Sequence, residues 1–357
     1  MLQPFTYFLR FSLISLLIAQ VPLAGEDAAW NAAMARKQKS ADLEAAAGFA
    51  KFNADFPQSN HALMSAVEEG VCWFSAGRGA QVLNRNTPES KQRFDKAFAL
   101  FQGVTKDHPS APEAARACYM QGSVHFFQGQ LELADADFSG VFDKFSIDKN
   151  YVGKSLLQRA MVRRGLMRSK EAIVDLQRWV KEVGAPPEQL TRTSAELERA
   201  LLLDKQAPVY GAESWFNGEP APLELQSGNV VALYFFATWC PNCAAELPFV
   251  LDLEKRFAPL GVRFIGVTDH SSPGGTVPAQ TPESIRKHLA EHHIGFSVFQ
   301  DNGQTSVVYK VTTIPMLALI DRGGVLRWCD KPSTVADWTI EKLLSEGLEP
   351  AKKSEQK

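Results

Sequence analysis

Across residues 26–205, apolar positions recur at helical spacing on a background rich in Ala, Leu, Phe, Lys and Glu, with glycine and proline mainly between the apolar runs. That period predicts an all-α region. After Leu203 it changes. Gln206-Ala-Pro-Val-Tyr-Gly reads as a short linker, and β-rich runs follow at residues 230–236, 262–267, 296–299 and 316–320. Helices are predicted between and after them at residues 244–257, 283–292 and 335–344. Strands alternating with helices predict an α/β domain, a central mixed sheet with helices on both faces. The turn residues of Asp321-Arg-Gly-Gly-Val-Leu place an antiparallel pair at the end of that sheet.

The helical region repeats itself. Gly70-Val-Cys-Trp-Phe-Ser-Ala-Gly77 aligns with Gly122-Ser-Val-His-Phe-Phe-Gln-Gly129. The helices that follow carry Ala97, Ala134 and Ala172, at intervals of 37 and 38 residues, each succeeded four positions later by Phe101, Phe138 or Leu176. The glycine blocks are 52 residues apart, which predicts an extra loop of about 15 residues near residues 79–90. Paired helices with a small residue at the crossing and a large apolar one beside it resemble tetratricopeptide repeats. An irregular helical bundle is the plainer alternative. Trp73 and His125 occupy equivalent repeat positions and are expected to pack rather than to bind a ligand.

With 357 residues the chain is long enough for two domains, here residues 26–205 and 206–347. Residues 1–25 hold a single charge, Arg10, then an apolar run over 11–23 and the small pair Ala24-Gly25. This reads as a secretory signal peptide, too short to span a bilayer. Pro22 stands three positions before a cut after Ala24, so an uncleaved N-terminal anchor is the alternative. The mature chain is expected outside the cytoplasm, in a periplasm where thiols meet oxidising conditions, with no membrane span of its own. Residues 348–357 read as a disordered charged tail. The charge balance, 38 basic against 40 acidic residues for a net −2, lacks the basic excess that nucleic acid rewards.

Five cysteines are too few for a disulfide-stapled scaffold, so their placement must carry the chemistry. Tyr234-Phe-Phe-Ala-Thr-Trp239-Cys240-Pro241-Asn242-Cys243-Ala-Ala-Glu246-Leu-Pro248 follows the strongest strand signal. A helix N-terminus stabilises a thiolate through free N–H groups and the helix dipole. Cys240 is therefore the expected nucleophile, and Cys243, one turn in, the thiol that resolves a mixed disulfide. Half of a zinc site is the chief competing reading. Zinc needs four ligands, and neither a second CxxC nor a suitable Cys/His pair follows, so no metal or other cofactor is expected. Cys72, Cys118 and Cys329 read as small buried hydrophobes. The insert at residues 269–281 lengthens a loop after a central strand without evident chemistry.

These residues resemble the thioredoxin superfamily, and within it the extracytoplasmic reductases similar to TlpA and ResA, over residues 207–347. The resemblance implies that Thr313-Ile314-Pro315 is a cis-proline loop packed on the sulfurs. With Trp239 and Pro241, Ile314 and Pro315 would then bind substrate. It also implies that Pro248 kinks the helix, that Tyr234 replaces the buried aspartate of ordinary thioredoxins, and that Glu246 is a carboxylate held in an apolar site as general base for Cys243. A solvated surface glutamate is the alternative for Glu246. Pro241-Asn242 departs from common reductase dipeptides, so the direction of electron flow stays open.

The function expected is thiol-disulfide oxidoreduction. Its partners would be protein disulfide or thiol substrates and a membrane or periplasmic thiol donor. Two other readings stand beside it: a peroxiredoxin-like peroxidase, whose Pro-x-x-x-Thr-x-x-Cys site is not matched here, and an interaction scaffold with an incidental redox pair. Stacked helix pairs form extended concave surfaces, so the helical half is expected to choose partners or self-associate and to take no part in the redox step.

Overall fold

The computed structural model describes residues 25–346, apart from 83–84, 147, 185, 210, 227, 270–279 and 302. The signal-peptide and charged-tail expectations fall outside this range, as does most of the 269–281 insert. The helical half comprises α1 (Glu26–Gln38), α2 (Asp42–Asp55), α3 (Ala62–Gly79), α4 (Pro88–Asp107), α5 (Glu113–Phe127), α6 (Leu131–Lys144), α7 (Lys149–Gly165), α8 (Ser169–Glu182) and α9 (Pro187–Ala200). Each packs on the next, and α5 also touches α3 and α7, so the pairs stack in series.

The repeat pattern has a steric cause. A Cβ placed on Gly70 would lie 2.6 Å from the ring of Phe101, and one on Gly122 would lie 2.7 Å from Phe138. Glycine on one helix thus admits the aromatic ring of its partner, a contact too close for any side chain. Ala97, Ala134 and Ala172 are fully buried at the crossings. The expected extra loop of about 15 residues is corrected: only residues 80–87 separate α3 from α4, and most of the longer spacing lies in the greater length of α3 and α4 relative to α5 and α6. The connection ends in a capping box, in which Thr87 and Ser90 each accept the other's backbone N–H. Trp73 and His125 pack as expected, Trp73 against the core around Phe94 and His125 against Phe98 with its Nδ1 2.6 Å from Asp137.

The second half is built on β1 (Lys205–Gln206), β2 (Ala212–Phe216), β3 (Val230–Phe235), β4 (Val262–Asp269), β5 (Ser297–Asp301), β6 (Met316–Ile320) and β7 (Val325–Asp330), in sheet order β1-β7-β6-β3-β4-β5-β2. Helices α10 (Pro241–Phe257), α11 (Pro282–Glu291), α12 (Gln304–Val308) and α13 (Asp337–Ser345) accompany it. Strand β3 is buried along its whole length, pairing parallel with β4 and antiparallel with β6. Its side chains alternate between two cores. Val230, Ala232 and Tyr234 join the core with α10, α11 and α13, while Val231, Leu233 and Phe235 join that on the opposite face. A strand covered on both faces has no reason to alternate apolar with polar. The expected mixed sheet is therefore present. The linker reading at residue 206 is refined, because Lys205 and Gln206 pair with Leu326 and Val325 as an edge strand. Strand β2 and the short α12 are additions that the sequence pattern did not reveal.

The two halves touch through ionic and polar contacts. Arg85 Nη2 lies 2.9 Å from Asp252 on α10, Arg164 Nη2 lies 2.7 Å from Asp330 at the end of β7, and Thr339 on α13 donates to the carbonyl of Gly165. Among the described residues no helix is long and apolar enough to cross a membrane.

Candidate active site

Buried β3 ends at Phe235, and the chain turns through 236–240 into α10. Cys240 is the N-cap of that helix, with extended backbone, and Pro241 takes the first helical position, where its missing N–H loses nothing. The Cys240 Sγ accepts the Cys243 amide at 3.2 Å, the role an aspartate or serine oxygen usually plays at a cap. Negative charge on this sulfur is therefore met by a backbone donor and the positive end of the helix. Both sulfurs are free thiols and both residues are nearly buried, but only Cys240 lines the adjacent cleft of about 420 Å³.

That cleft is walled by Trp239, Pro241 and Asn242 on one side and by residues 311–314 on the other. The Ile314–Pro315 bond is cis, as the resemblance implied, and the Ile314 carbonyl lies 3.9 Å from the Cys240 Sγ. Pro315 is buried beneath it. Thr312 and Thr313 are exposed residues that line the same cleft as Cys240.

Cys243 faces inward. Burial pushes its thiol well above the ordinary range; a hydrogen bond with the Cys240 sulfur and the charges of Cys240 and Glu246 act in the same direction, while the backbone of Ala237 opposes them. Tyr234, fully buried, donates its hydroxyl to the Cys243 carbonyl at 3.4 Å, and burial likewise drives its phenol upward. It pins α10 instead of supplying the carboxylate found at that place in thioredoxins.

Glu246 stands one turn beyond Cys243, in surroundings other than those expected. The sequence reading put it in an apolar site. Here Lys331 Nζ lies 2.8 Å from one carboxylate oxygen, and the Ser333 N–H donates to the other at 2.8 Å. The side chain is only 11% exposed, so it is neither an isolated buried acid nor a solvated surface group. Its partners lie more than eighty positions further along the chain, and no local pattern links them.

Sequence reasoning also missed Gln280. This buried side chain accepts the Thr238 N–H at 2.7 Å and the Thr268 hydroxyl at 2.9 Å, and its carbonyl accepts from Gln300 at 3.0 Å. It ties the loop before Cys240 to the end of β4. A lone glutamine at the edge of an insert gives no sequence signal of that role.

Cys72 and Cys118 are buried in the repeats, where burial pushes each thiol up to about 11, and Cys329 in the sheet core is pushed up to about 12. That fits the packing role expected of all three. Among the described residues no cluster of three His, Cys, Asp or Glu side chains could hold a metal ion.

Residues 203–329 match the AhpC/TSA family. Protein FixW of Rhizobium leguminosarum is 28% identical over 131 residues, covering 35% of this chain and 58% of that protein. The thiol-disulfide oxidoreductase ResA of Bacillus anthracis is 26% identical over 125 residues, covering 35% of this chain and 66% of ResA. The chain thus spans less than two thirds of either relative. A solved structure described as a putative thiol:disulfide interchange protein DsbE from Chlorobium tepidum is 26% identical, with a TM-score of 0.33, covering 40% of this chain and 99% of that one. Residues 203–329 thus match the AhpC/TSA family and are similar in sequence to thiol-disulfide oxidoreductases such as ResA.

Proposed function

We propose that the chain is an extracytoplasmic thiol-disulfide oxidoreductase acting on protein substrates, with the helical half binding partners. The observation that carries this reading is the Cys240 sulfur, capped by a helix N-terminus and open to a cleft, with Cys243 one turn behind it. Cys240 as thiolate attacks a substrate disulfide and expels one substrate thiolate, leaving a mixed disulfide. Cys243, deprotonated with help from the Glu246 carboxylate, attacks the Cys240 Sγ, expels the second substrate thiolate and closes the Cys240–Cys243 disulfide. Two electrons pass to the substrate, and an external dithiol returns them. Trp239, Pro241, Ile314 and Pro315 shape the surface that receives the substrate strand.

The test is insulin reduction by the full chain with dithiothreitol as donor. Acceleration that vanishes in Cys240→Ser supports the reading. An interaction scaffold would give no acceleration in the parent protein, and a peroxidase would instead consume hydrogen peroxide at the same thiol.

A further inference from the structure

Arg164 and Gly165, consecutive residues at the C-terminal end of α7, hold both ends of the segment 330–339. Arg164 is 1% exposed. Its Nη2 lies 2.6 Å from Glu196 on α9 and 2.7 Å from Asp330 Oδ2 on β7. Gly165 accepts the Thr339 hydroxyl at 3.0 Å, with Thr339 fully buried. A guanidinium withdrawn from water keeps its place only where carboxylates compensate it. Asp330 is thereby bound to the helical half, and its other oxygen accepts the Lys331 N–H at 2.7 Å. Between these anchors, the Lys331 ammonium and the Ser333 N–H grip the two oxygens of Glu246.

We infer that Arg164 and Gly165 are positioning residues for the redox pair, fixing through segment 330–339 the carboxylate that stands one helical turn from Cys243. The inference rests on the role proposed above for Glu246. It changes the part given to the helical half, which was expected to stay outside the redox step. Residues from α7 and α9 instead set the geometry on which that step depends, and one further ion pair from the helical half, Arg85 on Asp252, reaches α10.

The test uses the full-length protein with two readouts, the rate of insulin reduction and the dithiol–disulfide equilibrium against glutathione. Asp330→Asn keeps the shape of the side chain and removes the charge that faces Arg164. Thr339→Val removes the second tether and leaves the ion pair intact, so it serves where an orphaned Arg164 prevents folding. Each is expected to slow reduction by a factor of about 3 to 10, to shift the equilibrium in the same direction as Glu246→Gln, and to add nothing in a Glu246→Gln background. If both variants fold and match the parent in rate and equilibrium while Glu246→Gln does not, the inference is overturned and the role of Glu246 stands. Effects that add fully to Glu246→Gln overturn it too, because they would travel by another route. A silent Glu246→Gln removes the role of Glu246 and the inference with it.

Discussion

Replacing Gln280 with leucine tests how far the reactive loop depends on one buried amide. The leucine keeps most of the volume but strands two donors, the Thr238 N–H and the Thr268 hydroxyl, which now end on Gln280 Oε1 at 2.7 and 2.9 Å. The bond from Gln300 goes to the main-chain carbonyl of residue 280 and survives. Leaving a buried donor unmet costs about 1–3 kcal/mol. Two of them, partly offset by about 1.5–3 kcal/mol from the extra apolar burial, leave a net loss of about 1–3 kcal/mol. Thr238 is two residues from Cys240, so a loop that relaxes to find new acceptors also moves the nucleophile; displacements near 1 Å cost about 100-fold where geometry is exacting, and a loss of about tenfold in insulin reduction is expected. Thr268→Val removes one stranded donor. The double variant should therefore recover about 1 kcal/mol relative to additivity, a coupling that urea unfolding of the four proteins would reveal. Stability within 0.5 kcal/mol of the parent in folded Gln280→Leu, with an unchanged rate, would refute the reasoning, since lone surface changes sit in that range.

Trapping provides a second check: Cys243→Ala should accumulate mixed disulfides on a non-reducing gel and Cys240→Ala should not, and the reverse pattern would exchange their roles. In the helical half, Gly122→Ala forces a Cβ to 2.7 Å from Phe138 and is expected to cost about 1–3 kcal/mol by overpacking. Gly103→Ala, inside α4 with nothing within 4 Å of its Cβ, should instead gain about 0.5–1 kcal/mol, so urea melts should move the two in opposite directions. The raised thiols predict an alkaline limb. The protonated form is the one the fold favours, so the contribution of Cys329 is fully present below its ordinary value near 9 and is lost as pH rises toward about 12, at roughly 1.4 kcal/mol per pH unit. Unfolding of the reduced protein at a series of pH values should show this decline, and Cys329→Ala should flatten it.

Much of the molecule was legible in local pattern because its causes are local. The 3.6-residue period, the glycine and alanine crossings and the run Val230–Phe235 each report which side of an element is covered, and side-chain covering is what composition encodes. Cys240 was legible for the same reason: its place at a helix start follows from the strand before it and from Pro241 after it. The cis bond at Ile314–Pro315 came only through family resemblance, since the residue pair itself favours trans. Strand β2 was hidden, because a short edge strand takes its pairing from a partner some eighty residues away. The surroundings of Glu246 depend on Lys331 and Ser333, and the tie of the reactive loop depends on Gln280. The position of Asp330 depends on Arg164, from the other half of the chain. Each is a pairing of polar groups far apart in sequence, and polar residues carry no periodic signature of the partner they will meet. Hydrophobic burial is non-directional and leaves its imprint along the chain, whereas a hydrogen bond is satisfied by one atom at one distance, which only the folded arrangement supplies.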